Sequence, residues 1–435
     1  FSSMKNPTMK PLPGDLVEIH FMKKIYEGIL LEAPQSEKGI VLLKLDSGYN
    51  IGFKKKEILE IKTLRKFKEK KAKIEIKKTK DKPNIAMIIT GGTIASKYDS
   101  RTGGVDSLTK PEDLFKFYPE MFNKVNVAKV KVPFMKSSED MDFKDWKKIA
   151  TLTKELLNDG NIKGVIITHG TDFLHYTASA LSFFLKDLNK PVVLTYSQRS
   201  IDRASSDANL NLQCSALAAI SDIAELMLVG HATISDDYCY AIHGTKVKKM
   251  HTSRRDAFKP INKKPFAKIF RDKIEILSDY RKRNNKKTKT DTKFEKKVAL
   301  IKIYPGQSSD ILDYYLKKKY KGIVLELSGL GHLPVKSKNS WIKKLKEVQK
   351  RGLIICGASQ TVYGRLDPWV YGNGREILET GIIYLEDMLS ETAFVKLSWV
   401  LGHKEWTKDK ETIKSKMLEN FSNEINTKLK VDEIL

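Results

Sequence analysis

Two segments of this 435-residue chain set threonine hydroxyls beside glycines, and a third supplies lysines. In IAMIITGGTIASKYDSRTGG an apolar run leads into Gly91, Gly92 and Thr93. Paired glycines allow a tight turn and a close backbone approach to a ligand, which leaves the Thr93 hydroxyl on display. In GVIITHGTDFLHYT a similar run leads into His169, Gly170, Thr171 and Asp172. A threonine hydroxyl is a weak nucleophile until a base takes its proton. A lysine whose pKa is lowered by burial or neighbouring cations can be that base, and GTKVKKMHTSRRDAF carries Lys246, Lys248 and Lys249. Each segment also has a plainer reading. Glycine turns before helices often cradle phosphates, although GGTIAS fits neither GxGxxG nor GxxxxGK(S/T). Thr and Asp at a helix start make good N-caps, and a run of lysines can be a solvated basic loop.

The elements around these segments alternate strand and helix. From Pro83, strands are expected at NIAMIIT, GVIITH, PVVLTY and ELMLVG, with helices at DFKDWKKIATLTKELLN, FLHYTASALSFFLKDL and DANLNLQCSALAAIS. Apolar strands separated by amphipathic helices indicate a largely parallel sheet covered on both faces. Ligands in such sheets bind outside the carboxyl ends of the strands, which is where both threonine motifs fall. This α/β domain is expected over 83–280. A basic stretch, RKRNNKKTKTDTKFEKK (281–297), reads as a linker, and VALIKIYP, GIVLELSG and GLIICG announce a smaller α/β domain over 298–403. Residues 404–435 read as a polar helical tail. At the other end, 10–64 holds PGDLVEIHF, YEGILLEA, GIVLLKLDSGYNIGF and EILEIK. These short strands, broken by turns, suit a small all-β barrel of the SH3-like kind. Between barrel and body, RKFKEKKAKIEIKKTKDK (65–82) is mostly charged and reads as a linker, in which KIEI could add a short edge strand.

Composition bounds the partners. Apolar residues make up 41% of the chain, enough for sizeable cores. No apolar run approaches the roughly 18 residues of a membrane span, and FSSMKNPTMK lacks the apolar core of a signal peptide. The three cysteines, Cys214, Cys239 and Cys356, are widely spaced, which argues against a zinc site or a disulfide framework. A cytoplasmic protein is expected. The charge of +26 suits contact with a polyanion such as tRNA, or equally a lysine-rich, solvated surface.

Taken together and in order, TGGTIA, THGTD and Lys249-x-x-Thr252-x-x-x-x-Ala257-Phe258 resemble the L-asparaginase family. YPGQSSD, GIVLELSGLGH, SQTVYGR and EDMLSETAFVKLSWVLGH resemble its C-terminal half, so the likeness covers roughly 84–403. It implies an asparaginase-like two-domain body in which two threonines face the substrate amide. Thr93 would match the residue assigned the covalent acyl-enzyme role. Thr171, Asp172 and Lys249 would match the group that activates the nucleophile or the attacking water. SSEDM resembles the segment that holds the substrate. That would place Ser138 and Glu139 on the α-carboxylate and α-amino groups, with Asp172 sharing the latter, and Gly92 and Gly170 lining the same pocket. One feature departs from the pattern. The family's tyrosine, about a dozen residues after the first threonine, has no counterpart in SRTGGVDS, and Tyr98 comes too early.

The barrel, SQRSIDRASSDANLNL and SDDYCYAIHGTKVKKMHTSRRDAF resemble the archaeal tRNA-dependent amidotransferase branch of the family more than its secreted asparaginases. This likeness implies a glutaminase that releases ammonia from glutamine. A partner kinase–transamidase subunit, of the E type, would use the ammonia to convert Glu-tRNA(Gln) to Gln-tRNA(Gln). No cofactor is expected in this chain, since no nucleotide or metal motif stands out. ATP and Mg would belong to the partner. Family resemblance also implies a homodimer, here within a heterotetramer. A stand-alone asparaginase/glutaminase and a non-enzymatic RNA-binding scaffold are the alternatives.

Overall fold

A computed structural model describes residues 10–33, 39–46, 50–66, 81–99, 105–107, 119–201 and 205–430. The KIEI segment lies outside the described residues.

The N-terminal strands form one antiparallel sheet, in the order Asn50–Lys54, Ile40–Lys44, Ile25–Leu31, Leu16–His20, Glu60–Arg65. Alternation in LVEIH turns Val17 and Ile19 inward onto Leu30 and Leu43. Phe21, Tyr26 and Phe53 pack against that barrel-like core. Lys66 closes its end on the buried Asp15 carboxylate at 2.7 Å.

The larger α/β domain carries an eight-stranded sheet. Its order is Ile274–Ile276, Ala267–Ile269, Cys239–His243, Leu226–His231, Val192–Thr195, Val165–Thr168, Asn84–Ile89, Asn126–Lys131. The last five strands are parallel, and the first three join antiparallel at one edge. The central strands read as unbroken apolar runs because both their faces are buried. Ala86, Ile88 and Ile167 meet the helices Phe143–Leu157 and Leu174–Phe184, while Ile85, Met87 and Ile166 meet Ala208–Ile220 on the other side. The first of these helices starts where its sequence says it should. Asp142 accepts from the Lys144 N–H at 2.7 Å, and Asp145 accepts from the Asp142 N–H at 3.0 Å. A cap of this kind is worth about 1 kcal/mol.

The smaller domain is a four-stranded parallel sheet: Val298–Lys302, Gly322–Leu327, Ile354–Ser359, Ile383–Leu389. The helix Ser390–Leu401 covers the face turned toward the larger domain, and its Ala393, Val395 and Leu397 share one core with Ala178, Leu181 and Phe184. The two domains are therefore packed as one body.

Two charged stretches differ from their sequence reading. Within 281–297, the Arg283 guanidinium donates to the carbonyls of Ser221, Lys163 and Ala219, and Lys289–Thr290 pairs with Leu185–Lys186. Among the described residues after His403, only Lys410–Leu418 is helical. Ile413 and Met417 enter the core, and Lys396 and Glu424 form a fully buried pair at 2.6 Å. Both stretches are anchored because their charges find carbonyl or carboxylate partners that composition does not reveal. Among the described residues, no helix is long and apolar enough to cross a membrane.

Candidate active site

Three loops converge at the carboxyl ends of the parallel strands. The strand Asn84–Ile89 ends at Thr90, whose N–H and hydroxyl both donate to the Thr168 carbonyl, at 3.2 and 2.8 Å. The Thr90 carbonyl accepts from the Lys136 N–H at 2.9 Å. The next two residues turn through the left-handed region, with φ 115° at Gly91 and 80° at Gly92. A Cβ on Gly91 would overlap the Lys136 backbone, and one on Gly92 would overlap the backbone of Gly170. Both glycines are thus required twice, by conformation and by space. Thr93 opens a short turn, Thr93–Ala95, which buries Ile94 and Ala95. Among the described residues, the half-buried Thr93 hydroxyl has no hydrogen-bond partner, so it is available to a ligand.

The second loop is fixed by a buried histidine. The ring of His169 lies 2.7 Å from the Gly170 carbonyl through Nδ1 and 2.9 Å from the Thr177 hydroxyl through Nε2. A carbonyl can only accept, so Nδ1 carries the proton and Nε2 accepts from Thr177. Burial pushes the His169 pKa down to about 4, which keeps the ring neutral and this arrangement intact. His169 is a residue that sequence reading passed over. It sits inside the THGTD motif, but nothing in its type separates a turn-fixing imidazole from a catalytic one.

Thr171 and Asp172 follow. Neither caps the helix Leu174–Phe184, whose N-cap is Phe173, with no side-chain cap bond. The buried Thr171 hydroxyl instead accepts from Lys249 Nζ at 2.8 Å, and the same ammonium donates to Asp172 Oδ1 at 2.7 Å. Of the three lysines in the basic segment, only Lys249 reaches the threonine. Lys246 is buried against Asp387 at 2.6 Å, and Lys248 turns to Glu391.

The third loop brings Ser138. It is buried in a turn, and its hydroxyl accepts from the Phe173 N–H at 3.2 Å. Lys136 pairs with Asp145 at 2.9 Å, tying this loop to the first helix of the larger domain. Glu139 is exposed beside it. A cavity of about 510 Å³ adjoins Ser138, Glu139 and Phe173, and is walled by Phe143, Tyr176 and Phe394. Of SRTGGVDS only 105–107 are described, as a strand whose Val105 pairs with Tyr98. Among the described residues, no cluster of three or more His, Cys, Asp or Glu side chains is placed to hold a metal ion.

The arrangement can move protons at a carbonyl. One hydroxyl is displayed on a glycine turn, and a second is bonded to a lysine that is balanced by a carboxylate.

Residues 12–64 match the family described as GatD N-terminal domain, 84–282 match Asparaginase, N-terminal, and 297–417 match Glutaminase/Asparaginase C-terminal domain. The GatD subunit of the Pyrococcus furiosus glutamyl-tRNA(Gln) amidotransferase is 49% identical over 94% of this chain and 93% of its own length. The chain belongs to the GatD family of glutamyl-tRNA(Gln) amidotransferase subunits. Two further GatD members align over similar spans. That of Thermococcus kodakarensis is 46% identical over 97% of this chain and 96% of its own, and that of Archaeoglobus fulgidus 43% over 93% and 94%. The body of the GatD fold is that of the asparaginases. The thermostable L-asparaginase from Thermococcus kodakarensis superimposes with a TM-score of 0.69 at 29% identity, over 79% of this chain and all of its own. L-asparaginase I from Vibrio cholerae does so with a TM-score of 0.66 at 26% identity, over 79% of this chain and 99% of its own.

Proposed function

We propose that this chain is the glutaminase subunit of a glutamyl-tRNA(Gln) amidotransferase. Glutamine and water become glutamate and ammonia here. A partner kinase–transamidase subunit spends the ammonia in converting Glu-tRNA(Gln) to Gln-tRNA(Gln), with ATP and Mg held by that partner. The observation that carries the chemistry is the ammonium of Lys249 spanning Thr171 and Asp172, next to the glycine contact that delivers Thr93. In this reading the Thr93 oxygen attacks the side-chain amide carbon and ammonia leaves once its nitrogen has gained a proton. Water then cleaves the resulting ester. Thr171 and Lys249 pass the protons, and Asp172 balances the lysine's charge. General acid–base assistance of this kind is worth about 10²- to 10⁴-fold. Ser138 and Glu139, with Gly92 and Gly170 behind them, hold the amino-acid end of glutamine.

Membership of the family also supports an assembly. Two copies of this chain are expected in a heterotetramer with two partner subunits, in the cytoplasm, where tRNA is charged. The charge of +26 favours a tRNA-bearing complex. The likeness of the body to free-standing asparaginases supports a second reading, hydrolysis of free asparagine without a partner. Asparagine and glutamine differ by one methylene, typically worth about 1–3 kcal/mol of discrimination, so assembly dependence is the sharper test. Ammonia release is to be measured on both amides, with the chain alone and with the partner subunit and Glu-tRNA(Gln). Weak activity alone that rises strongly for glutamine in the complex is the expected outcome. Strong asparagine hydrolysis, indifferent to tRNA, would replace the first reading with the second.

A further inference from the structure

The strand that presents Lys249 belongs to neither large sheet. Among the described residues, Val247–Lys249 pairs only with Phe258–Pro260, in a two-stranded ladder. An isolated ladder of that size is marginal on its own, so other contacts must fix the direction in which Lys249 points. Those contacts come, residue after residue, from the last third of the chain. The Thr245 hydroxyl donates to the Ser422 carbonyl at 2.7 Å, and the Thr245 carbonyl accepts from the Thr392 hydroxyl at 3.0 Å. Lys246 Nζ donates to the Asp387 carboxylate at 2.6 Å and to the Asp387 carbonyl at 2.8 Å. Val247 enters the core. Lys248 then donates to the Glu391 carboxylate, whereas its neighbour Lys249 donates to Thr171 and Asp172. Alternation along a strand sends neighbouring side chains to opposite sides. Gripping Lys248 from one side therefore sets Lys249 on the other.

Glu391 is built for that grip. It lies in the first turn of Ser390–Leu401, where an acidic side chain complements the helix N-terminus. It is buried, with His175 Nε2 at 3.9 Å and the Ser390 hydroxyl at 3.2 Å. The single Ser390 proton goes to the nearer acceptor, Glu326 Oε1 at 2.6 Å, so Lys248 is the main partner left to the Glu391 carboxylate. Burial works to raise its pKa, but Lys248, then His175, outweigh it and hold the carboxyl below its usual range.

We infer that Glu391 is a positioning residue for amide hydrolysis. Through Lys248 it fixes the strand that carries Lys249, so the smaller domain governs proton transfer in a site built on the larger one. This rests on the reading that Lys249 serves the reaction.

The test uses the full chain with its partner subunit and Glu-tRNA(Gln), measuring ammonia from glutamine for wild type, K249M, E391Q, E391D, K248M and K248M/E391Q. Thermal unfolding establishes that each is folded at the assay temperature. A misplacement of about 1 Å can cost roughly 10²-fold in rate. E391Q and K248M are expected to lower kcat by about ten- to a hundredfold, with KM for glutamine within about twofold of wild type. The double variant should be no worse than either single one, since both break the same contact. E391D, which keeps the charge, should recover most of the lost kcat. Wild-type kcat in folded E391Q, a raised KM at unchanged kcat, or a double variant equal to the product of the singles would each overturn the inference. Should E391Q fail to fold, K248M and E391D carry the same comparison. The underlying reading fails separately, and visibly, if K249M keeps wild-type activity.

Discussion

Two lysines three positions apart each face an aspartate, and they do opposite work. Lys246 and Asp387 are both fully buried, 2.6 Å apart, at the seam between the domains. Lys249 and Asp172 are 2.7 Å apart, but the aspartate side chain is 63% exposed at the mouth of the threonine cleft. The first pair has no route to a ligand, and its charges are answered within the protein. The Asp387 carboxylate also accepts from the Asn426 backbone and side-chain N–H groups at 2.9 and 2.7 Å. The second pair leaves carboxylate oxygen open to solvent and shares its ammonium with a hydroxyl. Burial of the anion separates a lysine that holds the fold from one that can serve a substrate.

That contrast can be broken from either side. The largest effect is expected from K249M, which removes the proton carrier. It should lower kcat for glutamine by about 10²- to 10⁴-fold while thermal unfolding stays close to wild type. The reverse pattern is expected for D387A. Leaving Lys246 buried without its carboxylate should cost about 3–5 kcal/mol, read as a shift in the denaturant midpoint. A D387A chain as stable as wild type would show that the seam pair is not structural.

The pH response should follow the buried groups rather than the cleft. Burial lowers the pKa of both His169 and His175 from 6.5 to about 4. Between pH 6.5 and about 4 the unfolded chain binds protons that these folded imidazoles refuse. Stability therefore falls as pH drops through that window and, from these two groups, is flat above it. Each histidine accounts for about 3 kcal/mol across the full window, at 1.36 kcal/mol per pKa unit. Unfolding free energies measured at several pH values should have a gentler slope in H175N than in wild type. A slope that does not change would remove His175 from this account.

Smaller effects refine the picture. G92A forces a side chain into left-handed backbone and against Gly170. About 1–3 kcal/mol of stability should be lost, with kcat falling as Thr93 moves. The smallest change is expected in the stability of D172N, because an exposed ion pair contributes only about 0–1 kcal/mol. Its glutamine turnover should nevertheless drop, which would separate the cleft pair's function from its structural worth.

How much of this was legible beforehand depends on distance along the chain. Asn84–Ile89 and Val165–Thr168 announce themselves by unbroken apolar runs, and the glycines after them mark the turns that carry Thr93 and Thr171. Lys249 could be singled out only by resemblance, since Lys246 and Lys248 are chemically identical and strand direction decides which one enters the cleft. The contact of Gly92 with Gly170 was hidden, because adjacency of strands is a property of the sheet and not of either segment. The partner of Lys248 was out of reach for the same reason, 143 residues further on. Charge misled at 281–297, where Arg283 is held by three carbonyls instead of solvent. It misled again after His403, where Glu424 completes a buried pair.

The most direct test of the site is to mix the T171V chain, in complex with its partner subunit and Glu-tRNA(Gln), with glutamine, quench within the first turnover and map the covalent adduct by mass spectrometry. A glutamyl ester is expected on the peptide that contains Thr93, accumulating because proton transfer to the attacking water is impaired. An adduct on another residue, or wild-type turnover in T171V, would contradict that expectation.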